Sequence, residues 1–211
     1  MSRPGEESYP VAKLFLVRHG ETELNSAERY WGHSDVKLSS LGLWQAERLY
    51  HRLKSEKVNA VYASDLRRAL ATAETIVRGC RLDIVICPEL REINFGRVEG
   101  LTFAEISQLF PEFAARWRRR DVSLEFPGGE SFSGLNKRVS SFTDRLKEHT
   151  PAEGVLVVAH AGVLRTLICQ LMGIAPCCVY QFRLDLASLS IVDTYPTGAV
   201  LSRLNDVSHL S

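Results

Sequence analysis

An arginine and a histidine stand together in Arg18-His19-Gly20-Glu21-Thr22, directly after the apolar run Leu14-Phe15-Leu16-Val17. A second apolar run, Val155-Leu156-Val157-Val158-Ala159, ends on His160. Unbroken apolar runs of this length suit strands buried on both faces of a parallel sheet, and the ligands of such sheets gather outside the carboxyl ends of the strands. The two histidines are therefore expected to converge on one pocket. A guanidinium stays protonated at physiological pH and offers a planar fork of donors, so Arg18 predicts an anionic ligand, phosphate or carboxylate. The same charge opposes a divalent metal held between His19 and His160, and the sequence has neither H-E-x-x-H nor a paired C-x-x-C. Neither a metal nor a cofactor is expected. An isolated histidine, such as His51 or His149, reads as structural or solvated. Two at equivalent strand exits, one beside Arg-Gly and one before Ala-Gly, read as a site.

Further segments extend the pattern: Ser64-Asp65-Leu66-Arg67-Arg68-Ala69 with Thr72-Ala73, then Leu90-Arg91-Glu92-Ile93-Asn94-Phe95-Gly96, then Ala159-His160-Ala161-Gly162. Together with Leu16 to Thr22 and Asn25, these four motifs in this order resemble the histidine phosphatase superfamily, also called the phosphoglycerate mutase-like family, over roughly residues 13 to 204. The resemblance implies a phosphomonoesterase that works through a phosphohistidine. In the family the residue matching His19 attacks phosphorus, and those matching Arg18, Arg68, His160 and Asn25 hold the phosphoryl oxygens. The family's arginine directly precedes an alanine, which selects Arg68 over Arg67. Its Leu-x-Glu-x-x-x-Gly segment assigns the general acid to Glu92, which would protonate the leaving oxygen and then deprotonate water, ahead of Glu21 and Glu99. Asn94 stands where relatives commonly have aspartate, and Ala161 where glycine is frequent.

The chemistry sets its own requirements. A phosphate monoester is dianionic near neutral pH, so a nucleophile approaches phosphorus easily only where the oxygens are clamped and their charge is offset. Covalent catalysis splits the displacement into two steps. His19 must then be neutral, with its other nitrogen's proton held most simply by a carbonyl near Gly20. Ala161 and Gly162, opening the helix after His160, should aim backbone N–H groups at the anion. Arg67 and Arg165 are expected at the surface.

Tyr30 to Asp35, with Gly32 among the substrate contacts, and Phe126 to Ser131 should line the pocket mouth, where Tyr30 or Trp31 could form an aromatic wall. The short chain, the Gly128-Gly129-Glu130-Ser131 segment and the Phe182-Arg183 ending look like the family's small bacterial phosphatases, especially the α-ribazole phosphatases of cobalamin assembly. That likeness implies α-ribazole 5′-phosphate, or a broad set of small phosphates, as substrate. Phosphoglycerate mutases would use the same His19, but their acid segment reads Asn-Glu-Arg-His-Tyr-Gly and they carry a longer middle insertion. A non-catalytic phospho-ligand module would have lost one of His19, Arg18, Arg68, Glu92 and His160, all present here.

With 211 residues, 45% of them hydrophobic, the chain is long enough to bury its core as one domain, residues 13–211, behind a loose tail of residues 1–12. A net charge of +1 implies no general affinity for nucleic acid or membrane. The first dozen residues contain Pro4, Gly5 and Pro10 and no secretory apolar core, and no stretch reaches membrane-spanning length. The five cysteines, Cys80, Cys87, Cys169, Cys177 and Cys178, form no disulfide framework and read as reduced thiols of a cytoplasmic protein, monomer or homodimer.

Strand-like and helical runs alternate. Strand 13–17 is followed by a helix from about Ser39 to Lys54 with Leu41, Trp44, Leu49 and Leu53 at near-helical spacing, then by a short strand 59–62. Ser64 or Asp65 is expected to cap the next helix, whose apolar face runs from Leu66 to Val77. A strand at 83–87, a helical stretch from 102 to about 120 broken at Pro111, and the Pro127-Gly128-Gly129 loop lead to an amphipathic helix over Phe132, Leu135, Val139, Phe142 and Leu146. The His160 strand, a core helix from Val163 to Met172, and short strands between Tyr180 and Leu204 complete it. Such alternation predicts an α/β fold, a three-layer α/β/α sandwich with a mostly parallel central sheet.

Overall fold

The computed structural model describes residues 12–24, 29–149 and 153–211. Strands β1 (Ala12–Arg18), β2 (Ala60–Ala63), β3 (Ile84–Ile86), β4 (Glu153–Ala159), β5 (Leu189–Tyr195) and β6 (Gly198–Asp206) form one sheet in the order β3-β2-β4-β1-β5-β6. The first four run parallel; β5 lies antiparallel to β1, and β6 antiparallel to β5. Between them come helices α1 (Ser40–Leu53), α2 (Arg67–Ile76), α3 (Phe103–Leu109), α4 (Pro111–Arg118), α5 (Phe132–Leu146) and α6 (Ala161–Leu171).

The apolar runs are buried on both sides, as period-two alternation in a doubly covered sheet requires. Leu14, Leu16, Val155 and Val157 enter one core with Leu135, Val139 and Phe142 of α5 and Val163 and Leu167 of α6. Phe15, Val17, Leu156 and Val158 enter the other with Leu49 and Leu53 of α1 and Ala69, Ala73 and Ile76 of α2. Burying each such Val, Leu or Phe side chain contributes roughly 1.5–3 kcal/mol, so β1 and β4 are held from both faces. The expected three-layer sandwich is thereby formed.

Local expectations fail in three places. Ala12, expected in the tail, is 1% exposed and opens β1; residues 1–11 lie outside the described residues. On α1 the inward face is Gly42, Gln45, Ala46, Leu49 and Leu53, while Leu41 and Trp44 are 45% and 46% exposed. The cause is a close approach: a Cβ on Gly20 would stand 2.6 Å from the Gly42 carbonyl oxygen, so small residues must face the Gly20 loop there. Neither Ser64 nor Asp65 caps α2. Leu66, whose side chain has no acceptor, is its N-cap residue; Ser64 Oγ meets His160 and the Leu66 N–H, the Asp65 carboxylate takes the Arg91 guanidinium at 2.7 Å, and Asp35 accepts the first helical N–H, that of Arg67, at 2.7 Å. The Pro111 break falls as expected: α3, opened by a Thr102–Glu105 capping box, ends at Leu109, and Pro111 starts α4.

Candidate active site

Strand register brings the two histidines together. β1 and β4 pair residue for residue from Ala12↔Glu153 to Arg18↔Ala159, so His19 and His160 leave adjacent strands side by side with ring centroids 5.0 Å apart. β2 flanks β4 on its other side and delivers Ser64, whose Oγ lies 3.0 Å from His160 Nε2. The Arg18-His19 turn is stitched to both of its neighbours: His19 N donates to Ala159 O at 3.0 Å, Arg18 N to Ser188 O at 3.2 Å, and Ala187 N to His19 O at 3.1 Å.

His19 is buried, and its Nδ1–H donates to the Gly20 carbonyl at 2.7 Å. A carbonyl can only accept, so the lone pair of this imidazole is on Nε2. Burial pushes the His19 pKa well below the ordinary imidazole value; the charges of Arg68 and Arg18 push the same way and the Gly20 carbonyl pulls back. His19 is therefore neutral at physiological pH.

His160 is fully buried. Arg68 Nε donates to its Nδ1 at 3.2 Å, which leaves Nε2–H to donate to Ser64 Oγ. Burial, then Arg68, His19 and Arg18, hold it too well below its ordinary pKa. Both of its ring nitrogens are used inside the protein, so in this arrangement His160 orients Arg68 and has no nitrogen free for a phosphoryl oxygen. Arg68, 2% exposed, also donates to Ser34 O at 2.8 Å and Gly32 O at 2.7 Å. Gly32, expected among the substrate contacts, thus anchors Arg68, while its own N–H donates to Glu99 Oε1 at 3.1 Å. Arg67 is exposed, as expected. Arg18 donates through Nη1 to Leu184 O at 2.7 Å; its Nε is buried with no partner, and burial pulls its pKa to about 10, still protonated at neutral pH.

Glu92 is 8% exposed and approaches from the other wall. Its carboxylate accepts Ile93 N at 2.9 Å and Gly162 N at 3.1 Å. The Gly162 N–H, expected to meet the ligand, is thus taken by Glu92, and a Cβ at Gly162 would collide with that carboxylate. Ala161 lines the cavity beside it. A residue absent from the sequence reading holds this turn: Arg138 of α5 donates to the carbonyls of Glu89 and Arg91, each at 2.7 Å, and of Glu92 at 3.3 Å, and pairs with Glu130 at 2.8 Å. Its only sequence signal is a charged residue next to the apolar stripe of α5. Glu21 and Glu99 order loops, accepting Ser39 Oγ at 2.8 Å and Ser34 N at 2.6 Å. Asn25 lies outside the described residues.

These groups border a cavity of about 480 Å³. At the strand ends it is lined by Arg18, His19, Arg68 and Glu92; beyond them the walls are aromatic. Tyr30 packs at a tilt on Trp117 with centroids 4.7 Å apart, and Trp117 meets Phe126 at 5.0 Å and Phe132 meets Tyr180 at 5.8 Å, both edge to face. Trp31 lines it as well, and so does Arg165, expected at the surface with substrate binding as the lesser alternative. The correction follows from helix geometry, since Arg165 stands four residues after Ala161 and shares its face. His51 pairs with Glu47 on the surface, and His149 bridges Tyr62 and Glu153; neither lines the cavity. Among the described residues all five thiols are free, and no helix is long and apolar enough to cross a membrane.

The sequence model of the histidine phosphatase superfamily (branch 1) matches residues 14–207. A bifunctional protein of Mycobacterium tuberculosis is 39% identical over 193 residues, 91% of this chain; the chain spans about half of that relative, 53%. Phosphoserine phosphatase 1 of Hydrogenobacter thermophilus is 32% identical over 200 residues, 95% of each chain. The crystal structure of α-ribazole phosphatase from Shigella flexneri superposes with a TM-score of 0.85 at 32% identity, covering 92% of this chain and 96% of that one.

Proposed function

Because the chain belongs to the histidine phosphatase superfamily, we propose that it hydrolyses small phosphate monoesters through a phosphohistidine on His19, acting as one domain in the cytoplasm. The observation that carries this reading is a neutral His19, its Nδ1–H held by Gly20 and its Nε2 lone pair free, lining a cavity together with the buried Arg68 and the half-buried, protonated Arg18. The cationic pair offsets the phosphoryl dianion, and burial strengthens that attraction relative to water. His19 Nε2 attacks phosphorus as the P–O ester bond breaks, and Glu92 gives its proton to the departing alkoxide. Water then attacks the phosphohistidine, its proton passes to the Glu92 carboxylate, and the P–N bond breaks to release inorganic phosphate. No step calls for a metal, and a cation would be repelled by Arg18 and Arg68.

The relatives' names point to two leaving groups, the α-ribazole riboside and serine. α-Ribazole 5′-phosphate stays the first candidate because its planar base suits the walls formed by Tyr30, Trp117 and Phe126. The test is transfer of radiolabelled phosphoryl groups from substrate in the presence of EDTA. Acid-labile, alkali-stable label on the wild type, none on His19→Ala, and a loss of turnover of at least about 10⁴-fold in that variant are expected. Acid-stable label, or activity restored only by added metal, overturns the mechanism. Isomerisation of 3-phosphoglycerate outpacing phosphate release would make the protein a mutase.

A further inference from the structure

The cavity holds more positive charge than one phosphoryl group can use. Five arginines line it, Arg18, Arg29, Arg68, Arg118 and Arg165, against the single carboxylate of Glu92. Arg29 is matched by Glu105 at 2.8 Å, and Arg18 and Arg68 belong to the strand-end site. Arg165 has neither a hydrogen bond nor a carboxylate partner among the described residues, and its Nε is buried. Beside the same cavity the Tyr180 hydroxyl is buried without a hydrogen-bond partner of full geometry, the Trp117 indole giving it only a partial contact. A native fold leaves few buried polar groups unpaired, because each costs on the order of 1–3 kcal/mol and a charged one more. Three such groups line this cavity, Arg18 Nε, Arg165 Nε and the Tyr180 hydroxyl; the first belongs to the strand-end site, and the other two call for a ligand group that satisfies both.

We propose that Arg165 and Tyr180 form a second oxyanion subsite, which binds a carboxylate or a further phosphate on the leaving group of the phosphomonoester. This rests on the phosphatase reading and goes beyond its first candidate: it favours an ester with an anionic leaving group over α-ribazole 5′-phosphate. Both groups are donors. Burial pushes the Tyr180 hydroxyl up to about 12, so it keeps its proton, and Arg165 is near enough to draw that value down and to lower the pKa of Arg18. The ligand must then supply acceptors, and beside a guanidinium the favoured acceptor is an oxyanion. The spacing follows from α6: Arg165 is rooted about one turn, roughly 5.4 Å, after Ala161 and Gly162, where the Glu92 carboxylate docks. A leaving group with a spacer of a few atoms reaches from one end to the other. Phe132 stacks against Tyr180 and Trp117 closes the same wall, so that spacer is best apolar or planar.

Three substrates with one spacer test the subsite: butyl phosphate, 4-phosphonooxybutanoate and butane-1,4-diyl bisphosphate. Wild-type kcat/KM should favour at least one charged ester over butyl phosphate by about tenfold or more, mostly in KM, and the better of the two identifies carboxylate or phosphate as the natural group. Arg165→Gln should cut that preference by about tenfold and Tyr180→Phe by about threefold, with Arg165→Lys restoring part of it. α-Ribazole 5′-phosphate, whose base is aromatic and which has no second oxyanion, should lose less to Arg165→Gln than the favoured charged ester. A wild type without preference, or equal losses on all three esters, overturns the subsite. Calorimetric binding to His19→Ala separates the two readings: tighter binding of a charged ester than of butyl phosphate, with no hydrolysis by the wild type, would sink the phosphatase and keep the subsite.

Discussion

The strand-end half of the cavity and its aromatic half are built on opposite plans. At the strand ends nearly every polar group has a partner within the protein: His19 has Gly20, His160 has Arg68 and Ser64, Arg68 has Gly32 and Ser34, and Glu92 has Ile93 and Gly162. In the aromatic half the rings pack edge to face upon one another, while Arg165 and Tyr180 keep donors without acceptors. A network so nearly satisfied holds its side chains in one arrangement, which suits chemistry that depends on position. Unspent donors on an apolar wall suit recognition, where the ligand completes the set. On the proposed function, the strand ends would fix the reaction and the aromatic half would decide which ester undergoes it.

That division can be broken most sharply at Glu92. Glu92→Gln should slow hydrolysis of alkyl phosphates by roughly 10²–10⁴-fold, the range for a positioned acid, yet barely affect the single-turnover burst with p-nitrophenyl phosphate, whose leaving group departs without a proton. Equal burst losses with both esters would make Glu92 a binding group and erase the contrast between the halves.

A smaller effect concerns the neutral histidines. His19 and His160 both have folded pKa values below the unfolded 6.5, so the stability they contribute is fully present above about pH 6.5 and is lost as pH falls below it toward their depressed values. Each should add up to about 1.4 kcal/mol per pH unit to the slope of unfolding free energy between pH 6.5 and 5. Urea titrations should show a shallower slope for His19→Ala than for the wild type. An unchanged slope would mean that His19 is charged in the fold.

The smallest effect belongs to the wall. Trp117→Leu should reduce the preference for naphthyl phosphate over methyl phosphate by roughly twofold to tenfold, the worth of one aromatic contact. A comparable loss on methyl phosphate would show that the wall shapes the reaction as well.

The same contrast explains what the sequence revealed. The strand-end groups sit in contiguous motifs at strand exits, where an apolar run gives way to charge, so His19, Arg18, Arg68, Glu92 and His160 were legible with the sandwich that carries them. How they are paired was not: that both His160 nitrogens are occupied, and that Ser64 serves His160 instead of capping α2, depends on strands adjacent in space and distant in sequence. The aromatic half is assembled from scattered positions, Tyr30, Trp117, Phe132 and Tyr180. Each reads locally as packing, and only the tertiary fold shows that Arg165 faces inward. Helix α1 misled for a related reason, because Gly42 faces inward to admit the Gly20 loop while Leu41 and Trp44 stay outside.

The position of β1 between β4 and β5 has a consequence in time. Strand β1 is made well before the partners that fix its exit: Arg18 is anchored to Leu184, 166 residues further on, and His19 to Ala187. At a synthesis rate of about 5–20 residues per second, that gap is on the order of 10–30 s. Contacts so far apart in the chain also close slowly. A nascent chain therefore carries the Arg-His-Gly motif long before β5 has docked and the cavity at the strand ends is complete.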